Sequence, residues 1–94
     1  DPAPPAGPVP QVTQLTGQRL SPGKVRFTWK NPAPKAGDSY LWRPIEVGVK
    51  HPFSSTDETT VTVPGSSSGS TCIEVQLRRA DGAVAAENTE GCAK

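Results

Sequence analysis

Apolar and polar side chains alternate along much of this chain with a period of two, the repeat of a strand that lays one face on a core. In Lys24–Lys30, Val25, Phe27 and Trp29 fall on one face and Arg26, Thr28 and Lys30 on the other. In Thr71–Arg78, Ile73, Val75 and Leu77 alternate with Cys72, Glu74, Gln76 and Arg78. Residues 59–63 repeat the pattern with Val61 and Val63 inward, and Pro64-Gly65 ends the run. The same rule predicts strands over residues 39–43, with Tyr40 and Trp42 sharing a side, and over 45–50, with Ile45, Val47 and Val49 inward and Pro44 as the break between them.

A first strand over residues 11–16 is anchored by Val12 and Leu15 and ends at Gly17. Two anchors three residues apart break the alternation, as expected of an edge strand that kinks. Residues 20–23 form a turn around Pro22-Gly23, and residues 31–38 cannot pair as a strand because Pro32 and Pro34 lack the ladder donor. Residues 51–58 are predicted as loop, with Phe53 tucked beneath it, and the Ser-rich run 66–70 as a solvated turn.

Asp81-Gly82 is a hairpin signal, with the returning strand over residues 84–91. A three-residue connection, with Gly82 in the left-handed region, sets Ala80 against Val84 and Cys72 directly opposite Cys92. A two-residue turn opposes Cys72 to Gly91 and misses by one, which favours the longer loop. That register also sets Glu74 against Glu90, a mildly unfavourable pair.

Composition narrows the class. The 94 residues are 33% hydrophobic and 5% aromatic with 11 Pro and 9 Gly, thin for a helical bundle and suited to short strands joined by many turns. Five of those 11 prolines fall in residues 1–10, an extended linker, leaving 11–94 as the domain. Ten basic against nine acidic residues leave a net charge of +1, without the field that draws a protein to nucleic acid or an anionic membrane. No stretch is apolar for the ~18 residues a membrane span needs.

The two Cys are the only ones, and a metal site would want three or four ligands, whereas His51 is the single His. A Cys72 to Cys92 disulfide is therefore the stronger reading, worth ~3 kcal/mol for a loop of about 20 residues. It implies an oxidising compartment, with any export signal in a longer parent. The expected place for the sulfurs is the outer face or rim of the sheet, because Ile73, Val75 and Leu77 face inward.

Val12 and Leu15, the run Val25-Arg26-Phe27-Thr28-Trp29-Lys30-Asn31-Pro32, Tyr40, Thr60-Val61-Thr62-Val63 and Ile73-Glu74-Val75-Gln76-Leu77 together resemble a fibronectin type III domain, over residues 9 to 92. The resemblance implies a seven-stranded antiparallel β-sandwich of the immunoglobulin-like kind, with Val25, Phe27, Trp29, Val61, Val63, Ile73, Val75 and Leu77 as core. The corner Tyr of that family falls here near Thr71 or Cys72, so the corner contact is missing and the Cys pair is expected to pin the last two strands. Asn31-Pro32 with Gly37-Asp38-Ser39-Tyr40-Leu41-Trp42-Arg43 is similar to domains of actinobacterial surface proteins. Some of those are attached to serine/threonine kinases and others to secreted glycoside hydrolases.

Candidate chemistry is sparse. His51 precedes Pro52 without nucleophile context, and the adjacent Asp57 and Glu58 point apart, so no enzyme, cofactor or metal is expected. Arg79-Ala80-Asp81-Gly82 lacks the Arg-Gly-Asp triplet of integrin ligands. The candidate binding surface is Tyr40 and Trp42, if they face outward, with Arg43, Arg78 and Arg79 as a basic strip. The expected role is an extracellular spacer, interaction or ligand-sensing module, such as the ectodomain of a membrane-bound kinase. Its partners would be a protein or cell-wall ligand and the neighbouring domains. The alternative is a carbohydrate-binding accessory module of a secreted glycoside hydrolase.

Overall fold

A computed structural model describes residues 9–65 and 69–94. The described residues form seven strands and no helix: β1 Thr13–Ser21, β2 Lys24–Lys30, β3 Ser39–Ile45, β4 Ser54–Thr56, β5 Thr60–Pro64, β6 Thr71–Arg78 and β7 Thr89–Ala93. They build two antiparallel sheets, β1-β2-β5 and β4-β3-β6-β7. The inner faces meet through Val25, Phe27, Trp29 and Val63 from one sheet and Tyr40, Ile73, Val75 and Leu77 from the other, all buried. Val12 and Ala93 complete that core, and Val9, Leu15, Trp42 and Val61 pack against it half-buried. The rings of Trp29 and Tyr40 meet edge to face, centroids 5.5 Å apart and planes 70° apart, the geometry favoured by their quadrupoles. Of the predicted Ser-rich turn, residues 66–68 lie outside the described residues.

The first strand does not stop at Gly17 but runs through it to Ser21. Gly17 marks a close approach: a Cβ there would lie 2.7 Å from both the Ala93 Cβ and the Phe27 Cε1. The broken spacing of Val12 and Leu15 has a local cause upstream. The β1–β2 register shifts between Thr13 and Thr16, and Gln14 adopts φ 55°, a bulge that turns Leu15 back toward the core.

Pro44 does not end the third strand, which continues to Ile45 with Pro44 opposite Ile73. β4 pairs β3 only over Tyr40–Trp42, so at Pro44 one edge of β3 has no ladder to lose. The strand predicted over 45–50 is absent. Ile45 is 39% exposed, Val47 101% and Val49 49%, and the chain turns at Glu46–Val49 with Gly48 at φ +79°. The fourth strand is Ser54–Thr56, inside the segment predicted as loop, and Phe53 is 38% exposed instead of tucked away.

Cys72 and Cys92 are bonded and directly opposite, on the outer side of β6 and β7. The route to that register differs from the expected one. Arg78, not Ala80, faces Val84, and Arg79 N–H donates to Ala83 C=O, so the hairpin loop is longer than three residues; Gly82 is left-handed at φ +93°. Between the Arg78–Val84 and Val75–Thr89 pairs, Gln76 and Leu77 face residues 85–88, a surplus of two on the returning chain. Residues 84–88 therefore form no regular strand, and β7 starts only at Thr89. β7 rejoins the ladder of β6 at Thr89 and packs closely on β1: Gly91 lies under Leu15, whose Cγ would sit 2.7 Å from an added Cβ, and Ala93 lies under Gly17.

Candidate interaction surface

At one end of the sandwich the loop 31–38 is held by a polar cluster around Asp38. Asn31 Oδ1 accepts from Ala33 N–H at 3.0 Å, closing a local turn, and Asn31 Nδ2 donates to Asp38 Oδ2 at 2.8 Å and to the Tyr40 hydroxyl at 3.2 Å. Lys35 N–H donates to the same carboxylate oxygen at 2.9 Å. Arg79 Nη1 reaches it at 2.6 Å and also donates to Ala33 C=O at 2.9 Å. The side chains of Arg79 and Asp38 are only 12% and 7% exposed. Burial by itself raises the pKa of Asp38. The hydrogen bonds from Lys35 and Asn31 and the charge and hydrogen bond of Arg79 outweigh it and hold the carboxyl below its ordinary value. Gly37, at φ +82°, lets the loop pass Ala80, which an added Cβ would meet at 2.6 Å.

This cluster accounts for much of the candidate surface by internal bonding. Tyr40 is 4% exposed in the core and Trp42 is half-buried against it, so the two do not form an outward aromatic platform. The Arg strip does not assemble either. Arg79 is tied to Asp38, Arg43 forms an ion pair with Glu74 on the adjacent strand, and Arg78 lies opposite Ser39, two pairs of same-face residues away from Arg43. His51 and the Asp57-Glu58 pair do not converge, because they flank opposite ends of β4, whose Ser54 faces Trp42 and whose Thr56 faces Tyr40.

The other end of the sandwich carries a protrusion that the period-two pattern disguised as a strand. Residues 45–53 leave β3, turn at Glu46–Val49, where Val49 N–H donates to Glu46 C=O at 3.1 Å, and return to β4. Among the described residues, four of the six exposed large hydrophobic side chains lie on this short segment: Ile45, Val47, Val49 and Phe53. Its base is braced. His51 Nε2 lies 2.9 Å from Glu46 Oε2, Arg43 Nη1 donates to His51 C=O at 3.4 Å, and the Arg43 guanidinium stacks 4.4 Å from the centre of the Phe53 ring. Arg43, expected to bind a ligand, thus supports the protrusion, while Val47 and Val49, expected in the core, form its tip. Compared with known protein families and with curated proteins, the chain matches none.

Proposed function

We propose that this chain is a fibronectin type III-like module of a larger surface or secreted protein, non-catalytic and extracytoplasmic, that binds a protein while spacing its neighbours. The observation that carries the reading is the strand order, a three-stranded β1-β2-β5 sheet facing a four-stranded β4-β3-β6-β7 sheet with Trp29 at the end of β2. The Cys72–Cys92 disulfide is compatible with an oxidising compartment outside the cytoplasm. The ectodomain of a membrane protein such as a serine/threonine kinase is the setting that the resemblance suggests. A carbohydrate-binding role is supported less well, since Tyr40 is spent on the contact with Trp29.

Replacing residues 9–94 in the parent chain by an unrelated β-sandwich of equal length tests this. A binding module leaves the parent's function impaired by replacement as much as by deletion. Full rescue by the replacement reduces the module to a spacer and overturns the binding role, and turnover of any substrate by the isolated chain overturns the non-catalytic one.

A further inference from the structure

We propose that the protrusion 45–53 is the docking element of this module and that its partner is a protein offering an apolar pocket to Val47 and Val49; the inference rests on the protein-binding reading above. Val47 is 101% exposed and Val49 49%, although four valines of the same chain, Val12, Val25, Val63 and Val75, are almost wholly buried. A valine left fully in water forgoes the stabilisation that burying its side chain would give. Burial elsewhere is the return for such a placement, and a tip braced through Glu46, His51 and Arg43 meets it with little ordering cost.

Size and charge select the kind of partner. Ile45, Val47, Val49 and Phe53 together expose on the order of 400 Å², within the range of functional patches on monomers but about half of what each side of a stable interface buries. The patch is therefore too small to hold two copies together face to face, and its convex form suits insertion into a concavity. Of the surrounding charges, Arg43 is paired with Glu74, while Glu46 shares a hydrogen bond with His51 and its side chain stays 61% exposed. That leaves Lys50 and the two carboxylates of Glu46 and Glu90 beside the open cavity of about 370 Å³ at the base. Such a rim, with carboxylates in excess, has no attraction for an anionic bilayer and complements a pocket whose edge offers an acidic group to Lys50 and basic groups to Glu46 and Glu90.

The tip also has a defined place. Ile45, Cys72 and Cys92 lie side by side across β3, β6 and β7. The protrusion extends past that row, at the end opposite to loop 31–38, where Val9 enters. A partner seated on the tip therefore leaves the Asp38 cluster untouched.

The test places a photo-crosslinking phenylalanine at Val47 of the parent protein in its own cells, with the same group at Asp57 as the control. The adduct is identified, and the captured protein is purified and titrated against the wild-type chain and the Val47→Asp, Lys50→Glu and Asp57→Lys variants. Expected are one protein adduct from position 47, at least tenfold weaker binding for Val47→Asp, a few-fold and salt-dependent loss for Lys50→Glu, and unchanged binding for Asp57→Lys. Adducts only to lipid or to a second copy of the chain, no adduct above the control, or unchanged binding by Val47→Asp overturn the proposal. A captured protein whose affinity depends on position 57 and not 47 would displace the tip while leaving the protein-binding reading standing.

Discussion

Asp38 and Arg79 meet across the end of the sandwich, Oδ2 to Nη1 at 2.6 Å, although 41 residues separate them in the chain. Their pairing ties the loop before β3 to the segment after β6, and both side chains are mostly withdrawn from water. Removing one partner leaves the other's charge buried, so Arg79→Ala is expected to destabilise the fold by about 3 kcal/mol, measured by urea unfolding at pH 7.

The same pair makes a pH prediction. The folded-state pKa of Asp38 lies below its ordinary value of 3.8, so its stabilisation is fully present above about pH 4 and is lost as pH falls through the depressed folded value. The stability gap between the wild type and Asp38→Asn should therefore be widest near neutrality, constant down to about pH 5, and narrower at pH 2 to 3. A gap that widened in acid would contradict the assignment.

The strands that alternate strictly and end in turn signals, β2 and β6, were legible from the chain because sheet burial writes the same period into the residues. β4 was not legible: Ser54-Ser55-Thr56 is polar throughout and pairs only because Tyr40–Trp42 lies beside it. Ile45, Val47 and Val49 show the limit of the period-two rule, which tells which residues share a side but not whether that side meets a core or water. The predicted opposition of Cys72 and Cys92 holds because two departures cancel, a turn longer than three residues and a surplus of two residues before Thr89. Of the candidate site, Arg43, Arg78 and Arg79 stand out in the sequence by their charge, whereas the choice of Asp38 as the partner of Arg79 is written nowhere near Arg79 in the chain. Asp38 beside Gly37, after a Pro-rich loop opened by Asn31, was the one available hint.

Gln14 occupies the left-handed region at φ 55°, which costs a side chain roughly 1 kcal/mol. Glycine tolerates that conformation but loses more entropy on folding, so the two effects partly cancel. Gln14→Gly is expected to raise stability by about 0.5 kcal/mol, and Gln14→Val, branched at Cβ, to lower it by 1 kcal/mol or more, roughly. Thermal melts of the three chains decide it, and a loss on Gln14→Gly would mean that the bulge is not strained.

Gly91 and Leu15 supply the most local test of how β7 finds its register. An added Cβ at Gly91 would lie 2.7 Å from Leu15 Cγ and 3.3 Å from the Leu15 carbonyl oxygen, so relief requires movement of a side chain that rests half-buried on the core and of a backbone that does not yield easily. Gly91→Ala should cost about 1 to 3 kcal/mol by overpacking. Leu15→Ala alone also destabilises, by loss of burial, but it removes the obstructing Cγ. The double variant should therefore be more stable than the sum of the single losses predicts, by about 1 kcal/mol in a double-mutant cycle. Strict additivity would show that the Gly91–Leu15 contact does not constrain β7, leaving the ladder with β6 and the Cys72–Cys92 bond to position it. A dominant share for the bond has its own signature, because the reduced wild-type chain would then lose the amide protection of β7 while retaining that of β6.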